Sequence, residues 1–210
     1  VPLCLLTKTI TRDDIFYYGY GPLHSEYRTR YADNLSKELP RIPCIKSAED
    51  FWSFVNAERE LGHLHVNYED VEPYPVTFKK GNPKLTDISN PKEFYYMTEM
   101  KFAKADKEKG ISEKDKSTVI YNRNITITDI PLEAYNYIVN GKPALEWIME
   151  RQCVKTDKKS GIVNDTNHYA VETVGNPAYP LELFQRVITV SLETMKIVKN
   201  LPKLEMRETE

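Results

Sequence analysis

The residues of this chain best suited to chemistry are polar and sit together in one run. Gln152-Cys153-Val154-Lys155-Thr156-Asp157-Lys158-Lys159-Ser160-Gly161-Ile162-Val163-Asn164-Asp165-Thr166-Asn167 gathers three lysines, several hydroxyls, a glycine and two asparagines. Ammonium groups and hydroxyls are the donors that hold phosphate oxygens, and side-chain amides match the adjacent donor and acceptor of an adenine edge. The run could therefore form a phosphate-holding loop. Asp157 and Asp165 offset much of its charge, so a plain solvated loop accounts for the same composition. A second cluster, Lys101, Lys104, Lys107, Lys109, Lys114 and Lys116, is nearly matched by acids; it reads either as an exposed β-hairpin or as a hairpin that enters a DNA groove.

Catalytic patterns are missing. There is no phosphate loop ending in Gly-Lys-Ser/Thr, no Gly-x-Gly-x-x-Gly, no His-Glu-x-x-His, no Gly-x-Ser-x-Gly, and no Asp/Asn-Pro-Pro-aromatic run of the kind amino-methyltransferases use. The chain by itself is expected not to be an enzyme. His63 and His65 stand two apart on a helical pattern, where their side chains diverge and would not share a metal. Asp13-Asp14 and Glu49-Asp50 have the types needed for acid–base work, but both pairs stand at helix starts, where acids meet the positive end of the helix dipole.

The whole chain sets the frame for these residues. Its 210 residues can bury one sizeable core or two small ones, with 40% hydrophobic and 29% charged residues and a mean hydropathy of -0.55. Those values exclude a mostly disordered chain and a membrane protein. A net charge of -2, from 29 basic and 31 acidic residues, means that any nucleic-acid contact must rest on local charge. Cys4, Cys44 and Cys153 are odd in number and far apart, which fits a reducing, cytoplasmic setting. The 14 tyrosines supply amphipathic rings that suit a wet core edge or stacking on bases. Opening on Val1 rather than methionine suggests a piece of a longer polypeptide.

The elements that must position the polar runs follow from caps and periodicity. Thr11 before Arg12-Asp13-Asp14 predicts a helix start, weakened by Gly19, Gly21 and Pro22. Ser25 is a second cap, and Tyr27, Tyr31, Leu35 and Leu39 recur at near-helical spacing until Pro40. Ser47-Ala48-Glu49-Asp50 reads as a capping box for a helix running to about Val66. Residues 1–70 thus form a helical segment, with 8 basic against 11 acidic residues.

Residues 71–210 read as a mixed α/β region. Phe94-Tyr95-Tyr96-Met97 and Met100-Lys101-Phe102-Ala103 suit a half-exposed strand. Ser117–Ile130 suits a returning strand with a break at Asn122-Arg123-Asn124. A short helix is expected from Ile130 to Val139, another over Pro143–Gln152, a polar connection over Val154–Asn167, and a last apolar helix over Pro180–Asn200. The class is therefore α+β: an N-terminal helical segment, then a small, mainly antiparallel sheet with flanking helices.

Several strings are more specific than composition. Tyr20-Gly21-Pro22-Leu23-His24-Ser25-Glu26-Tyr27-Arg28-Thr29-Arg30-Tyr31-Ala32 followed by Glu38-Leu39-Pro40-Arg41-Ile42-Pro43 resembles a block of large bacterial restriction-modification polypeptides. Pro143-Ala144-Leu145-Glu146-Trp147-Ile148-Met149-Glu150-Arg151, Lys155–Ile162 and Val187-Ile188-Thr189-Val190-Ser191 resemble further blocks of the same group, in the same order. The group is the type ISP restriction-modification enzymes, and the similarity is to their C-terminal region. One departure is visible: the proline expected after Ser25 is absent.

The resemblance implies a target-recognition domain preceded by nuclease, helicase-like ATPase and adenine-methyltransferase domains, with ATP, Mg and S-adenosylmethionine used by those domains and no cofactor here. It implies double-stranded DNA as partner, besides the upstream methyltransferase and helicase domains. On that basis Lys155, Lys158, Lys159, Ser160 and Arg123 are candidate phosphate-positioning groups, and Asn122, Asn124, Asn164 and Asn167 are candidate readers of base edges. Readout is expected in the stretch from about Val71 to Ser117. The rival reading is a non-catalytic docking domain that assembles helicase and methyltransferase modules without reading DNA, motivated by the acidic first 70 residues and the apolar last helix.

Overall fold

The structure is a computed structural model and describes residues 9–20, 27, 30–35, 37–38, 41–104 and 114–205. The chain divides into two compact units, residues 1–66 with 196–210 and residues 67–195. No described helix is long and apolar enough to cross a membrane.

In the first unit, helix α1 spans Arg12–Tyr20, a short α2 spans Ala32–Leu35, and α3 spans Ala48–Val66. Thr11 caps α1 reciprocally: its N–H and Oγ1 donate to Asp14 Oδ2 at 2.8 and 2.6 Å, and its Oγ1 accepts from the Asp14 N–H at 3.3 Å. Arg59 Nη2 adds a contact at 2.9 Å, and these donors, Thr11 foremost, hold the Asp14 carboxyl down to about 2. Asp14 is thus a cap rather than an acid–base group. Ser47 Oγ accepts from the Asp50 and Glu49 N–H groups at the start of α3. Tyr18, Tyr27, Phe54, Val55 and Leu204 form the core, where the Tyr18 hydroxyl donates to the Pro43 carbonyl. The expected continuation of the second helix, with Ser25 and Leu39, lies outside the described residues.

Glu58, on the buried face of α3, is 4% exposed, and its Oε1 has no hydrogen-bond partner among the described residues. Burial pushes its carboxyl up from 4.5 to about 7. The folded chain then keeps a proton that the unfolded chain has released, so this group makes stability fall as pH rises from 4.5 to about 7, with no further loss above that. Glu58→Gln is expected to flatten that slope in urea titrations and to raise stability at pH 8 by about 1–3 kcal/mol. An unaltered pH profile would show that the carboxyl is charged when folded.

The second unit is built on a four-stranded antiparallel sheet of order β1-β4-β3-β2, with β1 at Thr77–Lys80, β2 at Lys101–Ala103, β3 at Asp115–Ile120 and β4 at Thr126–Thr128. Val119 pairs with Ile127 and Phe102 with Val119, so one face of β3 and β4 is apolar and buried. Onto this face pack Leu145 of α5 (Ala144–Arg151) and Leu181, Phe184 and Ile188 of the long final helix, numbered α7 below. Full burial of each such side chain contributes roughly 1.5–3 kcal/mol.

Helix α7 spans Tyr179–Lys199, with its last turn counted in the first unit. It also holds the loop before β1: Arg186 Nε donates to the Val71 carbonyl, Gln185 Nε2 to Tyr74 and Thr189 Oγ1 to Glu72. The α+β class and the small antiparallel sheet with flanking helices are as the sequence indicated.

Three local expectations are corrected. Phe94 and Tyr95 lie in a helix, α4 (Pro91–Tyr95), because Asn90 Oδ1 accepts from the Glu93 N–H and Pro91 sets the first turn. Ser117–Ile130 is two strands, with Asn122–Asn124 as the turn between them. Ile130–Val139 is a 3-10 turn, Leu132–Asn136, followed by a two-residue strand β5 (Ile138–Val139) that pairs with β6 (Lys142–Pro143). The tip of the lysine-rich β2–β3 hairpin, residues 105–113 with Lys107 and Lys109, lies outside the described residues.

Candidate nucleic-acid interface

Within the polar run 152–167, residues 155–164 form a small two-stranded hairpin rather than a bare loop. Lys155–Thr156 forms β7 and Val163–Asn164 forms β8, with Lys155 opposite Asn164 and Thr156 opposite Val163. Its tip is built by one carboxylate. Asp157 Oδ1 accepts from the N–H of Lys159 at 3.0 Å, the N–H of Ser160 at 2.7 Å and the Ser160 hydroxyl at 2.9 Å. These donors, led by the Ser160 N–H, hold the Asp157 carboxyl below its ordinary value. The Ser160 oxygen in turn accepts from the Ile162 N–H at 3.3 Å, and Gly161 takes the left-handed conformation that closes the turn.

One oxygen of the tip's acid is thus engaged inside the turn while the carboxylate keeps its charge, and Ser160 is a turn builder rather than a free phosphate donor. Lys155, Lys158 and Lys159 are all exposed. Lys158 and Lys159 make no ion pair among the described residues. Removing the turn's acceptor by Asp157→Ala is expected to lower DNA affinity by loosening the lysines. Asp157→Asn keeps an acceptor and deletes a negative charge, so it should bind as well as wild type or better. Equal gains from both variants in a salt-matched titration would show that Asp157 acts through charge alone.

The asparagines are committed to the main chain. Asn122 Nδ2 donates to the carbonyls of Phe94 and Tyr96, each at 2.9 Å, while its Oδ1 accepts from the N–H groups of Asn124 at 2.8 Å and Ile125 at 2.7 Å. Asn124 Nδ2 donates to the Phe94 carbonyl at 3.1 Å. Asn164 Nδ2 donates to Arg151 and Cys153 carbonyls at 3.2 and 3.4 Å.

Asn167 Oδ1 accepts from the Met97 N–H at 2.9 Å, and its Nδ2 donates back to the Met97 carbonyl at 2.8 Å and to Asp165. It is the second residue of a short helix, α6 (Thr166–Tyr169), which Asp165 caps. In Asn122 and Asn167 both the amide nitrogen and the amide oxygen are engaged, so each must break native bonds before it can meet a base. Asn124 and Asn164 engage Nδ2 alone, and their Oδ1 atoms accept no bond among the described residues.

Arg123, at the tip of the β3–β4 turn, is exposed and pairs with Glu93 at 2.6 Å, and Lys80 Nζ donates to its carbonyl. The β3–β4 turn and the two ends of the 155–164 hairpin share an anchoring segment. Asn122 and Asn124 bind residues 94–96, while Asn167 binds Met97 and the Val154 N–H donates to the Thr98 carbonyl at 2.9 Å. The β3–β4 turn and the residues flanking the 155–164 hairpin are thus tied to the single segment 94–98. Beside it lies a groove of about 590 Å³ lined by Lys92, Glu93, Tyr96, Thr98, Asn122 and Arg123.

Sequence reasoning missed Tyr96, which is hidden in a run of aromatics, and took Asp157 only as a charge offset, although Asp157-Lys158-Lys159-Ser160-Gly161 carries the spacing of a side-chain-capped turn. No group of three or more His, Cys, Asp or Glu that could hold a metal occurs among the described residues.

Residues 5–183 match the family model of the Type ISP C-terminal specificity domain. The chain belongs to that family. The blocks read in the sequence therefore pointed to the right group. The specificity domain is similar to part of LlaGI, a Type ISP restriction-modification enzyme whose nuclease-deletion mutant was solved in complex with a DNA substrate mimic. That match has 42% identity over 96% of this chain and a TM-score of 0.76. LlaBIII, an ATP-dependent Type ISP restriction-modification enzyme bound to DNA, matches 95% of the chain at 36% identity and TM-score 0.76. A DrdV–DNA complex solved by cryoEM matches 94% at 30% identity and TM-score 0.71. The specificity domain spans 14%, 12% and 18% of the lengths of those three chains. No curated protein sequence matches it.

Proposed function

We propose that this specificity domain recognises a double-stranded DNA target for a restriction-modification polypeptide and performs no catalysis itself. On this reading nuclease, helicase-like ATPase and adenine-methyltransferase modules lie upstream in the same cytoplasmic enzyme and use ATP, Mg and S-adenosylmethionine. The observation that carries it is the 155–164 hairpin: exposed lysines beside a single acid, one oxygen of which is held by three donors of the turn, with the flanking Val154 and Asn167 anchored to the segment that also holds Asn122 and Asn124. That arrangement supports phosphate contact by a chain whose overall charge is -2. Lys155, Lys158 and Lys159 are the positioning groups, with Arg123 joining them by exchanging Glu93 for phosphate.

Replacing Lys158 and Lys159 together by alanine in the parent enzyme is expected to weaken binding about equally on target and non-target duplexes. The slope of log affinity against log salt should fall by roughly 2, since each phosphate contact contributes about 0.9. Unchanged affinity and slope would remove the hairpin from the interface. Loss of assembly between modules with sequence preference intact would favour the docking role instead.

A further inference from the structure

Residues 94–98 form an unusual stretch of main chain. Helix α4 ends at Tyr95 and β2 begins at Lys101, so no ladder holds the residues between them. Instead a succession of polar groups pins them. Phe94 O accepts from Asn122 and Asn124, Tyr95 O accepts from the Tyr121 hydroxyl at 2.9 Å, and Tyr96 O accepts from Asn122. Met97 exchanges two bonds with Asn167, and Thr98 O accepts from the Val154 N–H.

The side chains along this pinned line part company. Met97 is 0% exposed and Phe94 and Tyr95 pack against the core, whereas Tyr96 is 46% exposed. An exposed tyrosine alone needs no explanation. Here the carbonyl of that same residue is held by Asn122, and the neighbouring peptides are held by the amides of Asn122, Asn124 and Asn167. Its ring lines the groove of about 590 Å³ that Lys92 and Arg123 also line.

We propose that Tyr96 is a sequence-determining residue of the interface, its ring meeting a base of the target duplex while the lysines hold phosphate. The inference rests on the DNA-recognition reading above. An uncharged ring gains little from phosphate, and on a duplex its apolar surface is best matched by a thymine methyl or a base edge exposed in the groove. Presentation on an immobilised main chain removes the ordering cost that a loop-borne aromatic would meet on binding, which is what lets a contact discriminate. The asparagines then serve readout indirectly, by fixing the residue that makes it. Tyr96 also falls within the Val71–Ser117 stretch where the sequence placed readout.

The test uses the full parent enzyme, with target and scrambled duplexes titrated over a range of salt. Tyr96→Ala is expected to weaken target binding about 5- to 150-fold, with scrambled-duplex affinity and salt slope unchanged. Tyr96→Phe should retain most of the affinity. In a series of targets each lacking one base, wild type should lose affinity at a base that Tyr96→Ala no longer distinguishes. Because this coupling is a difference between duplexes, it survives any general loss of stability in the variant.

Equal losses on both duplexes, unchanged target binding, or no base whose removal couples to Tyr96 would each overturn the proposal. The Lys158/Lys159 double variant, measured alongside, separates the levels. If it binds as wild type, the interface reading itself fails; if it weakens as expected while Tyr96→Ala does not, only the role of Tyr96 is lost.

Discussion

Gly81→Ala is expected to destabilise the protein by about 2–5 kcal/mol, one of the two largest effects foreseen for a single substitution here. Gly81 follows β1 with φ +68°, in the left-handed region where a side chain is strained. A Cβ placed there would stand 2.2 Å from the Asn124 carbonyl oxygen, 2.9 Å from its carbon and 3.2 Å from Ile125 Cγ1. The obstacle is main chain rather than a side-chain tip, so it cannot rotate away. The peptide it strikes is the one the Asn122 amide folds into place, which links this strand end to the candidate interface. A urea titration should show a lower midpoint with unchanged slope. A midpoint equal to that of wild type would mean that the carbonyl has room to retreat.

Asn122→Ala should cost about 2–4 kcal/mol. Four hydrogen bonds disappear with the side chain, each contributing roughly 0.5–1.5 kcal/mol, and the partners include main-chain groups of half-buried residues. Asn122→Asp is the sharper variant. It keeps an acceptor for the Asn124 and Ile125 N–H groups but turns a carboxylate oxygen toward the Phe94 and Tyr96 carbonyls, so it should not restore stability. A residue that only reads bases would behave otherwise: alanine there would leave the urea midpoint in place and change DNA affinity alone. The two roles are therefore separable in one pair of measurements, stability without DNA and affinity with it.

Much of the scaffold could be read from local signals. Thr11 and Ser47 do cap helices with the acids that follow them, and the apolar periodicity of residues 180–200 corresponds to α7. Such features depend on residues three or four apart, which any helix brings together whatever surrounds it. The aromatic run 94–97 misled because the β-propensity of its side chains is a weaker determinant than the Asn90 cap with Pro91 beside it. The turn at Asn122 was visible as a break, but its consequence was not: the amide's partners lie 26 and 28 residues away in sequence.

The order of residues was enough to read the class of the fold, the capped helices, the hydrogen-bonding types gathered in the polar run and, through its blocks, the family. What those types do depends on which groups the folded chain sets beside them. A side-chain amide offers the same donor and acceptor to a peptide group as to an adenine edge, so its role is set by which of them lies within about 3 Å. Folding brings the main chain of residues 94–98 to Asn122, Asn124 and Asn167, and directs the Asp157 carboxylate into its own turn. The Asn122 and Asn167 amides are thereby occupied as clamps, and Lys155, Lys158, Lys159 and Tyr96 are left facing solvent.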